Sequence, residues 1–169
     1  MATEIERKFL LEDGSWRAAA YKRELLVDGL VAASDGRKVR VRLYEDRATL
    51  TIKNSRDGLK RTEFEYEIPL ADATELIAKH CGEKVLAKIR HYVEHMGFIW
   101  EIDEYVGLLE GVVIAEVELD SEDDHVPLPA WIGREITYDP DYRKINLLNA
   151  CFGSLNRGEP ARASFPPAA

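Results

Sequence analysis

The stretch TEIERKFLL, residues 3–11, decides the fold class, because charged and apolar side chains alternate along it. Successive side chains of a β-strand point to opposite faces of its sheet, so Glu4, Glu6 and Lys8 would share one face while apolar side chains such as Phe9 occupy the other. The charged face carries both signs of charge. The stretch therefore predicts a strand with one apolar face and one face on which carboxylates and an ammonium lie side by side.

The same alternation recurs along most of the chain and predicts a mainly β (α+β) fold. The alternating stretches follow one another at hairpin spacing, which favours a mostly antiparallel sheet that could close into a barrel. Further strands are predicted at residues 38–45, 48–53, 61–70, 86–95, 98–105, 112–120 and 134–139. Helices are predicted at residues 15–24, 71–80 and 141–153, and after the first of them Asp28-Gly29 interrupts the apolar run RELLVDGLVAA.

The charged faces of these strands are segregated by sign. An ordinary half-buried strand turns its charges to water, and for any single strand that is the more common arrangement. Like charges two positions apart repel slightly in water, however, and they become useful when both reach a common ligand. The basic pairs are Arg40/Arg42 and Lys88/Arg90, and the acidic pairs are Glu101/Asp103 and Glu116/Glu118.

A closed barrel would bring these faces together around one lumen. Unpaired charges are costly to bury, so such a lumen must be wet, internally paired and filled by a ligand. Arginine suits bidentate capture of phosphate oxygens and lysine suits point-charge contact, whereas carboxylates without His or Cys suit hard cations such as Mg²⁺ or Mn²⁺. This combination predicts a site for a polyphosphate chain with a divalent metal ion.

Composition limits the classes of partner. The chain has 169 residues, a net charge of −8 and two distant cysteines, and it lacks an N-terminal signal pattern and an apolar run of membrane-spanning length. A negative overall field argues against nucleic acid as a partner, and a membrane span needs about 18 apolar residues. We therefore expect a single domain over residues 1–153, a disordered tail over residues 154–169, no membrane association and a cytoplasmic location.

The order of the charged motifs resembles the CYTH domain proteins, which are triphosphate tunnel metalloenzymes. EIERK matches the ExExK signature of that family, and RVR, LTIK, RTEFEYE, KIR, WEID, AEVEL and GREIT follow in the family's order, with Tyr142 behind them. The resemblance covers residues 3 to about 150. It implies a closed eight-stranded antiparallel β-barrel whose basic residues hold triphosphate and whose acidic residues hold a divalent metal, and it is strongest to the small bacterial inorganic triphosphatases.

The resemblance also implies roles for individual residues. Glu116 and Glu118 would hold the principal metal, and Glu4 and Glu6 would bind a second metal and orient the attacking water, with Lys8 beside them as a catalytic residue. The phosphate-binding residues would be Lys8, Arg40, Arg42, Lys53, Arg61, Lys88 and Arg90, and the further tunnel carboxylates Glu63, Glu65, Glu101 and Asp103. The chain departs from the family's pattern where Asp28-Gly29-Leu30 replaces a common Gln-Gly-Tyr and where Lys144 replaces a common Asn.

These observations predict an enzyme that hydrolyses inorganic triphosphate to pyrophosphate and phosphate with Mg²⁺ or Mn²⁺. The expected partner is this small-molecule substrate, and the protein would be a monomer or a homodimer. Three alternatives stay open from the sequence. They are a class IV adenylate cyclase, a thiamine or nucleoside triphosphatase, and a polyphosphate-binding module without turnover.

Overall fold

The computed structural model describes residues 3–55 and 57–158 and contains a long antiparallel sheet with two α-helices. The helices are α1 (Leu70–His80) and α2 (Lys144–Asn156), and none of the described helices is long and apolar enough to cross a membrane. The strands are β1 (Thr3–Leu11), β2 (Ala20–Ser34), β3 (Arg37–Leu43), β4 (Ala48–Lys53), β5 (Lys60–Ile68), β6 (Val85–His95), β7 (Phe98–Val106), β8 (Val113–Glu118) and β9 (Ile132–Glu135).

Eight of these strands form a closed ring. The order is β5-β4-β3-β2-β6-β7-β8-β1, and β5 pairs with β1 to complete the circle, while β9 adds to β1 outside the ring. The closing pair is short, since it joins only Thr3, Glu4 and Ile5 to Thr62, Arg61 and Lys60. The predicted closed eight-stranded antiparallel barrel is confirmed.

The helix predicted at residues 15–24 is wrong. Only Ser15–Ala19 is helical, as a short 3-10 turn, and residues from Ala20 onward belong to the 15-residue strand β2. Asp28-Gly29 does not break this strand, because β2 pairs with β6 from Ala20 to Gly29 and with β3 from Val27 to Ser34, so both neighbours are paired at Asp28-Gly29. Backbone pairing with these two strands outweighs a local preference for a helix.

Two element boundaries near the C-terminus also differ from prediction. The strand expected at residues 134–139 is β9, Ile132–Glu135, and it gives way to a turn. The second helix starts at Lys144 and continues to Asn156, so residues 154–156 are helical rather than part of a disordered tail. Residues 159–169 lie outside the described residues. The helix predicted at residues 71–80 is confirmed as α1.

Apolar packing lies outside the ring and at one end of it. Helix α1 covers the outer face of β2, β3 and β4 around Val41 and Ala48, and Trp16 of the 3-10 turn packs on the outer face of β6 and β7. Helix α2 places Leu147 and Leu148 against side chains at one end of the ring. Those end residues are Leu10, Leu86, Tyr105 and Ile114. The rest of the inner face carries charged and polar residues.

Gly29 fixes how closely α1 approaches β2. A Cβ atom at this position would lie 2.7 Å from the Cys81 Sγ atom and 2.9 Å from the Ile77 Cγ1 atom. We therefore expect Gly29→Ala to lower the free energy of unfolding by about 1–3 kcal/mol, as overpacking does in tight cores. Gly153→Ala in α2 is the matched control, since its Cβ would meet only Arg157 Nη1 at 3.6 Å. Equal effects of the two changes in urea titrations would contradict this packing argument.

Candidate active site

Period-two alternation places every predicted phosphate-binding cation on the inner face of the ring. The positions alternate with apolar residues that pack outside, as Arg42 does with the buried Val41. The seven cations come from five strands, which are β1, β3, β4, β5 and β6. Their side chains meet carboxylates from the same and from other strands, so residues far apart in sequence converge in one lumen. These cations are Lys8, Arg40, Arg42, Lys53, Arg61, Lys88 and Arg90.

Most of these side chains form one continuous series of ion pairs in which cations and carboxylates alternate. We call this series the ion-pair chain. It contains equal numbers of both signs, so its formal charge is zero. In order, its members are Arg42, Asp28, Lys88, Asp103, Arg90, Glu116, Lys8, Glu6, Arg61, Glu4, Lys53 and Glu63.

The most deeply buried part of the ion-pair chain centres on Asp103, whose side chain is 0% exposed. Arg90 binds it through both edges, with Nε 2.7 Å from Oδ1 and Nη2 2.8 Å from Oδ2, and Lys88 contacts the same carboxylate. Arg42 holds Asp28 in the same bidentate manner at 2.6 and 3.0 Å. Asp103 therefore neutralises two buried cations.

The other half of the ion-pair chain joins the signature residues of β1 to β5 and β4. Arg61 Nη2 lies 2.6 Å from Glu6 Oε1, and its Nε donates to Glu4. Lys53 Nζ lies 3.1 Å from Glu4 Oε1, and Lys8 Nζ lies 3.1 Å from Glu6 Oε1. The three-residue pairing that closes the ring is thus reinforced by side chains that also line the lumen.

Some polar atoms of the lumen have no protein partner. Arg40 Nη2 lies 3.4 Å from Glu65 Oε2, and Thr51 donates to the same oxygen at 2.8 Å. Arg40 Nε and Thr49 Oγ1 are nevertheless buried without a hydrogen bond to another described residue. Buried polar atoms are normally satisfied, so these two atoms could gain a partner only if neighbouring side chains move to admit a ligand or water.

Five of the six carboxylates of the ion-pair chain are held in their ionised form, whereas burial raises the pKa of the sixth, Glu63. Burial raises the pKa of Glu4, but the hydrogen bond from Arg61 and the charge of Lys53 outweigh it and hold the pKa well below its usual range. Burial likewise opposes ionisation of Glu116, and Lys8 is the first of the cations that lower its pKa well below normal. These groups are therefore available as anionic ligands across the physiological pH range.

Glu118 is different, because it has no cation partner among the residues that the structure describes. Burial and then the charges of four other carboxylates raise the pKa of Glu118 to about 7. Those carboxylates are Glu101, Glu4, Glu6 and Glu63. A divalent cation would relieve the repulsion among these carboxylates, so their chemistry, although not their present spacing, suits a hard metal ion.

The described residues contain no ready-made metal cage, since no three Asp, Glu, His or Cys side chains converge closely enough to hold an ion. The physical reason is visible in the ion-pair chain. Glu4, Glu6 and Glu116 each point to a lysine or an arginine, and only Glu118 is left to a surplus of negative charge. Metal binding by this set would require carboxylates to exchange a cationic side chain for the ion.

The raised pKa of Glu118 predicts a pH dependence of stability for the metal-free protein. Its folded pKa of about 7 exceeds its ordinary value of 4.5, so its contribution is fully present below pH 4.5 and is lost as the pH rises to about 7. Because Glu118 is partly exposed, we expect only about 1–2 kcal/mol after screening by solvent. In EDTA, Glu118→Gln should be more stable than the parent at pH 8 and lose this advantage near pH 4.5. A difference in free energy of unfolding between variant and parent that does not change with pH would contradict the raised pKa of Glu118.

Three residues of the lumen were not predicted as site residues. Asp28 was expected to interrupt an apolar run. It instead continues the alternation of strand β2, because it lies two positions from both Leu26 and Leu30. Lys38 shares the parity of Arg40 and Arg42 and could have been found by extending that pattern one step. Lys144 begins α2; burial lowers the pKa of its ammonium, and its charge interacts most strongly with Glu116 and Asp28. No local pattern marks this last contact.

The geometry agrees with comparisons to known proteins. A model of the CYTH domain matches residues 2–146. The chain belongs to the CYTH family. An inorganic triphosphatase from Acetivibrio thermocellus is 40% identical over 148 residues, which cover 88% of this chain and 94% of that protein. An inorganic triphosphatase from Nitrosomonas europaea is 32% identical over 148 residues, which cover 83% of this chain and 93% of that protein.

Solved structures of CYTH relatives share the fold. The crystal structure of the inorganic triphosphatase NE1496 superposes with a TM-score of 0.59 at 28% identity, covering 88% of this chain and 95% of that one. A putative adenylyl cyclase, HpAC1 from Hippeastrum, has a TM-score of 0.52 at 18% identity over 72% of this chain and 80% of its own, which shows the fold alone. Membership in the CYTH family, the triphosphate tunnel metalloenzymes, implies a divalent metal ion.

Proposed function

We propose that the protein hydrolyses inorganic triphosphate to pyrophosphate and phosphate. The observation that carries this proposal is the convergence of lumen cations with the carboxylates around Glu118 inside one closed ring. The names of the two relatives, both inorganic triphosphatases, support the same activity. In the reaction, the oxygen of water forms a bond to a terminal phosphorus, the P–O bond of the anhydride breaks, and pyrophosphate leaves.

Substrate binding would proceed by exchange of ion pairs. Each cation of the ion-pair chain already has a carboxylate, so triphosphate oxygens must replace those carboxylates on Arg90, Arg61 and Lys53. Arginine is suited to this exchange, because its planar fork presents two donors to phosphate in the same geometry that it presents to a carboxylate. The carboxylates that are released then become free to bind a divalent cation. Triphosphate and metal should therefore assist one another in binding.

The metal would be Mg²⁺ or Mn²⁺, held by Glu116 and Glu118 with Glu4 and Glu6 nearby. When bound, it would supply neutralisation of the negative charge that develops on the phosphoryl oxygens. The low pKa of Glu4 makes it a weak general base, so we assign it the role of orienting the attacking water. The remaining tunnel residues position the phosphoryl groups and neutralise them, which is where most of the catalysis of phosphoryl transfer arises.

The test compares four substrates with purified protein in Mg²⁺ and in Mn²⁺. We expect kcat/KM for inorganic triphosphate to exceed that for ATP, thiamine triphosphate and pyrophosphate, because a hydrolase needs only the triphosphate end of a substrate. ATP, if used, should give ADP and phosphate. Chromatography of the ATP reaction supplies the control, since a dominant peak of cyclic AMP with pyrophosphate would favour a cyclase instead. Binding of triphosphate without turnover would favour a non-catalytic module.

The remaining expectations from the sequence belong to the same proposal. A small-molecule triphosphate is the partner, and a cytoplasmic location agrees with two cysteines that are both free and buried. Whether the protein is a monomer or a homodimer stays a prediction for measurement by light scattering.

A further inference from the structure

The clearest unexplained group in the lumen is a lysine that pairs with no carboxylate in the part of the chain that the structure describes. Lys38 begins the inner face of β3 and lies directly across from Lys53 of β4. Like charges opposite one another on neighbouring strands are destabilising, and a folded protein usually avoids them. Lys53 has Glu4 and Glu63 as partners, but no described carboxylate forms an ion pair with Lys38.

Other cations surround Lys38. The ammonium is half-buried, and the charges that act on it most strongly belong to Arg61, Arg143, Lys8 and Lys53. Burial and then these cations lower the pKa of Lys38. The protein thus keeps a cation where it weakens its own folded state, which is expected where a bound anion compensates for the cost.

We propose that Lys38 is a further phosphate-binding residue of the tunnel and that it selects ligands with three phosphoryl groups over ligands with two. The inference rests on the proposed function and names a determinant of its substrate class. A phosphoryl group placed between Lys38, Lys53 and Arg61 contacts three cations, and two of these have carboxylate partners to release. Lys38 has none, so its contact with the anion costs no ion pair.

The selectivity follows from the position of Lys38 at one edge of the cation set. Arg42, Lys88 and Arg90 are concentrated around the buried Asp28 and Asp103, and they can hold a shorter anion. Lys38 lies instead at the start of β3, beside the turn that joins it to β2. Only a longer ligand spans from the buried cations to Lys38. Pyrophosphate therefore gains little from this residue.

Calorimetric titration with sodium triphosphate and with pyrophosphate, in EDTA, tests the proposal without turnover. Lys38→Met should raise the Kd for triphosphate about tenfold and the Kd for pyrophosphate less than twofold, and Lys38→Arg should retain most of the affinity for triphosphate. Lys60→Met is the matched control, because Lys60 is exposed on β5 and pairs with Glu122 at 2.8 Å outside the ion-pair chain. Its affinities for both anions should equal those of the parent.

Thermal denaturation without ligand provides a second readout. Removing Lys38 should leave the Tm unchanged or raise it, whereas loss of a merely structural lysine would lower it. Equal Kd changes for the two anions, no change for triphosphate, or a lower ligand-free Tm of Lys38→Met would each overturn the inference. Failure of the proposed function looks different, since parent protein that binds triphosphate without hydrolysing it leaves the role of Lys38 intact.

Discussion

Glu118→Gln should remove metal-dependent hydrolysis of triphosphate while making the metal-free protein more stable. Loss of one anionic ligand weakens the charge neutralisation that a divalent ion supplies, which is worth several kcal/mol, so kcat/KM should fall on the order of 10²–10³-fold. The gain in stability has a separate cause. Glu118 is repelled by Glu101, Glu4 and Glu6, and a neutral amide removes that repulsion.

Substitution of Glu118 tests metal binding more directly than substitution of Glu116 does. Glu116 forms ion pairs with Lys8 and Arg90, so its substitution would disturb the ion-pair chain as well as metal binding. Glu75→Gln on the exposed face of α1 is the control and should preserve activity. Excess metal should partly restore the turnover of Glu118→Gln. Near-normal activity with an unchanged dependence on metal concentration would show that Glu118 is not a ligand.

Asp103→Asn should have the largest effect on stability. The asparagine amide cannot neutralise Lys88 and Arg90. Removal of one charged partner from a buried ion pair lowers the free energy of unfolding by about 3–5 kcal/mol. Inorganic triphosphate should narrow the difference in free energy of unfolding between variant and parent, because Lys88 and Arg90, which have each lost one anionic partner, then gain another. The measurement is a pair of urea titrations for each protein, with and without triphosphate.

The control for this comparison is Asp120→Asn, since Asp120 is exposed and forms no ion pair with a described residue. Its free energy of unfolding should stay within about 0.5 kcal/mol of the parent. An equally small effect at Asp103 would mean that Lys88 and Arg90 are neutralised by other groups. If triphosphate stabilised variant and parent by the same amount, Lys88 and Arg90 would not belong to the triphosphate site.

The strands and their inner faces could be predicted because their signal is local. Arg40 and Arg42, or Glu116 and Glu118, lie two residues apart, and this spacing fixes one face of a strand regardless of what pairs with it. The closure of the ring agreed with the resemblance to the CYTH family. The helix at residues 15–24 failed because β2 obtains its backbone hydrogen bonds from β3 and β6, which are distant in sequence.

The pairing inside the tunnel could not be predicted for the same reason. Sequence spacing places Arg42 and Asp28 on their strands, but only the register of β2 with β3 sets them directly opposite one another. Nor does any pattern in α2 indicate that Lys144 approaches Glu116. The separation of basic and acidic pairs along the sequence predicted cations for phosphate and carboxylates for a metal ion. In the protein without ligand, these cations and carboxylates form ion pairs with each other.

The short pairing between β1 and β5 has a consequence for how molecules of this protein behave together. If the backbone pairing at those three positions breaks, the ring becomes an open sheet. The strands at its open edges can then pair with strands of another molecule. The strand segments exposed in this way carry Glu4 on one side and Lys60 and Arg61 on the other. Charged side chains on an edge disfavour such association. Glu4 and Arg61, which line the tunnel, thus also disfavour aggregation of the protein.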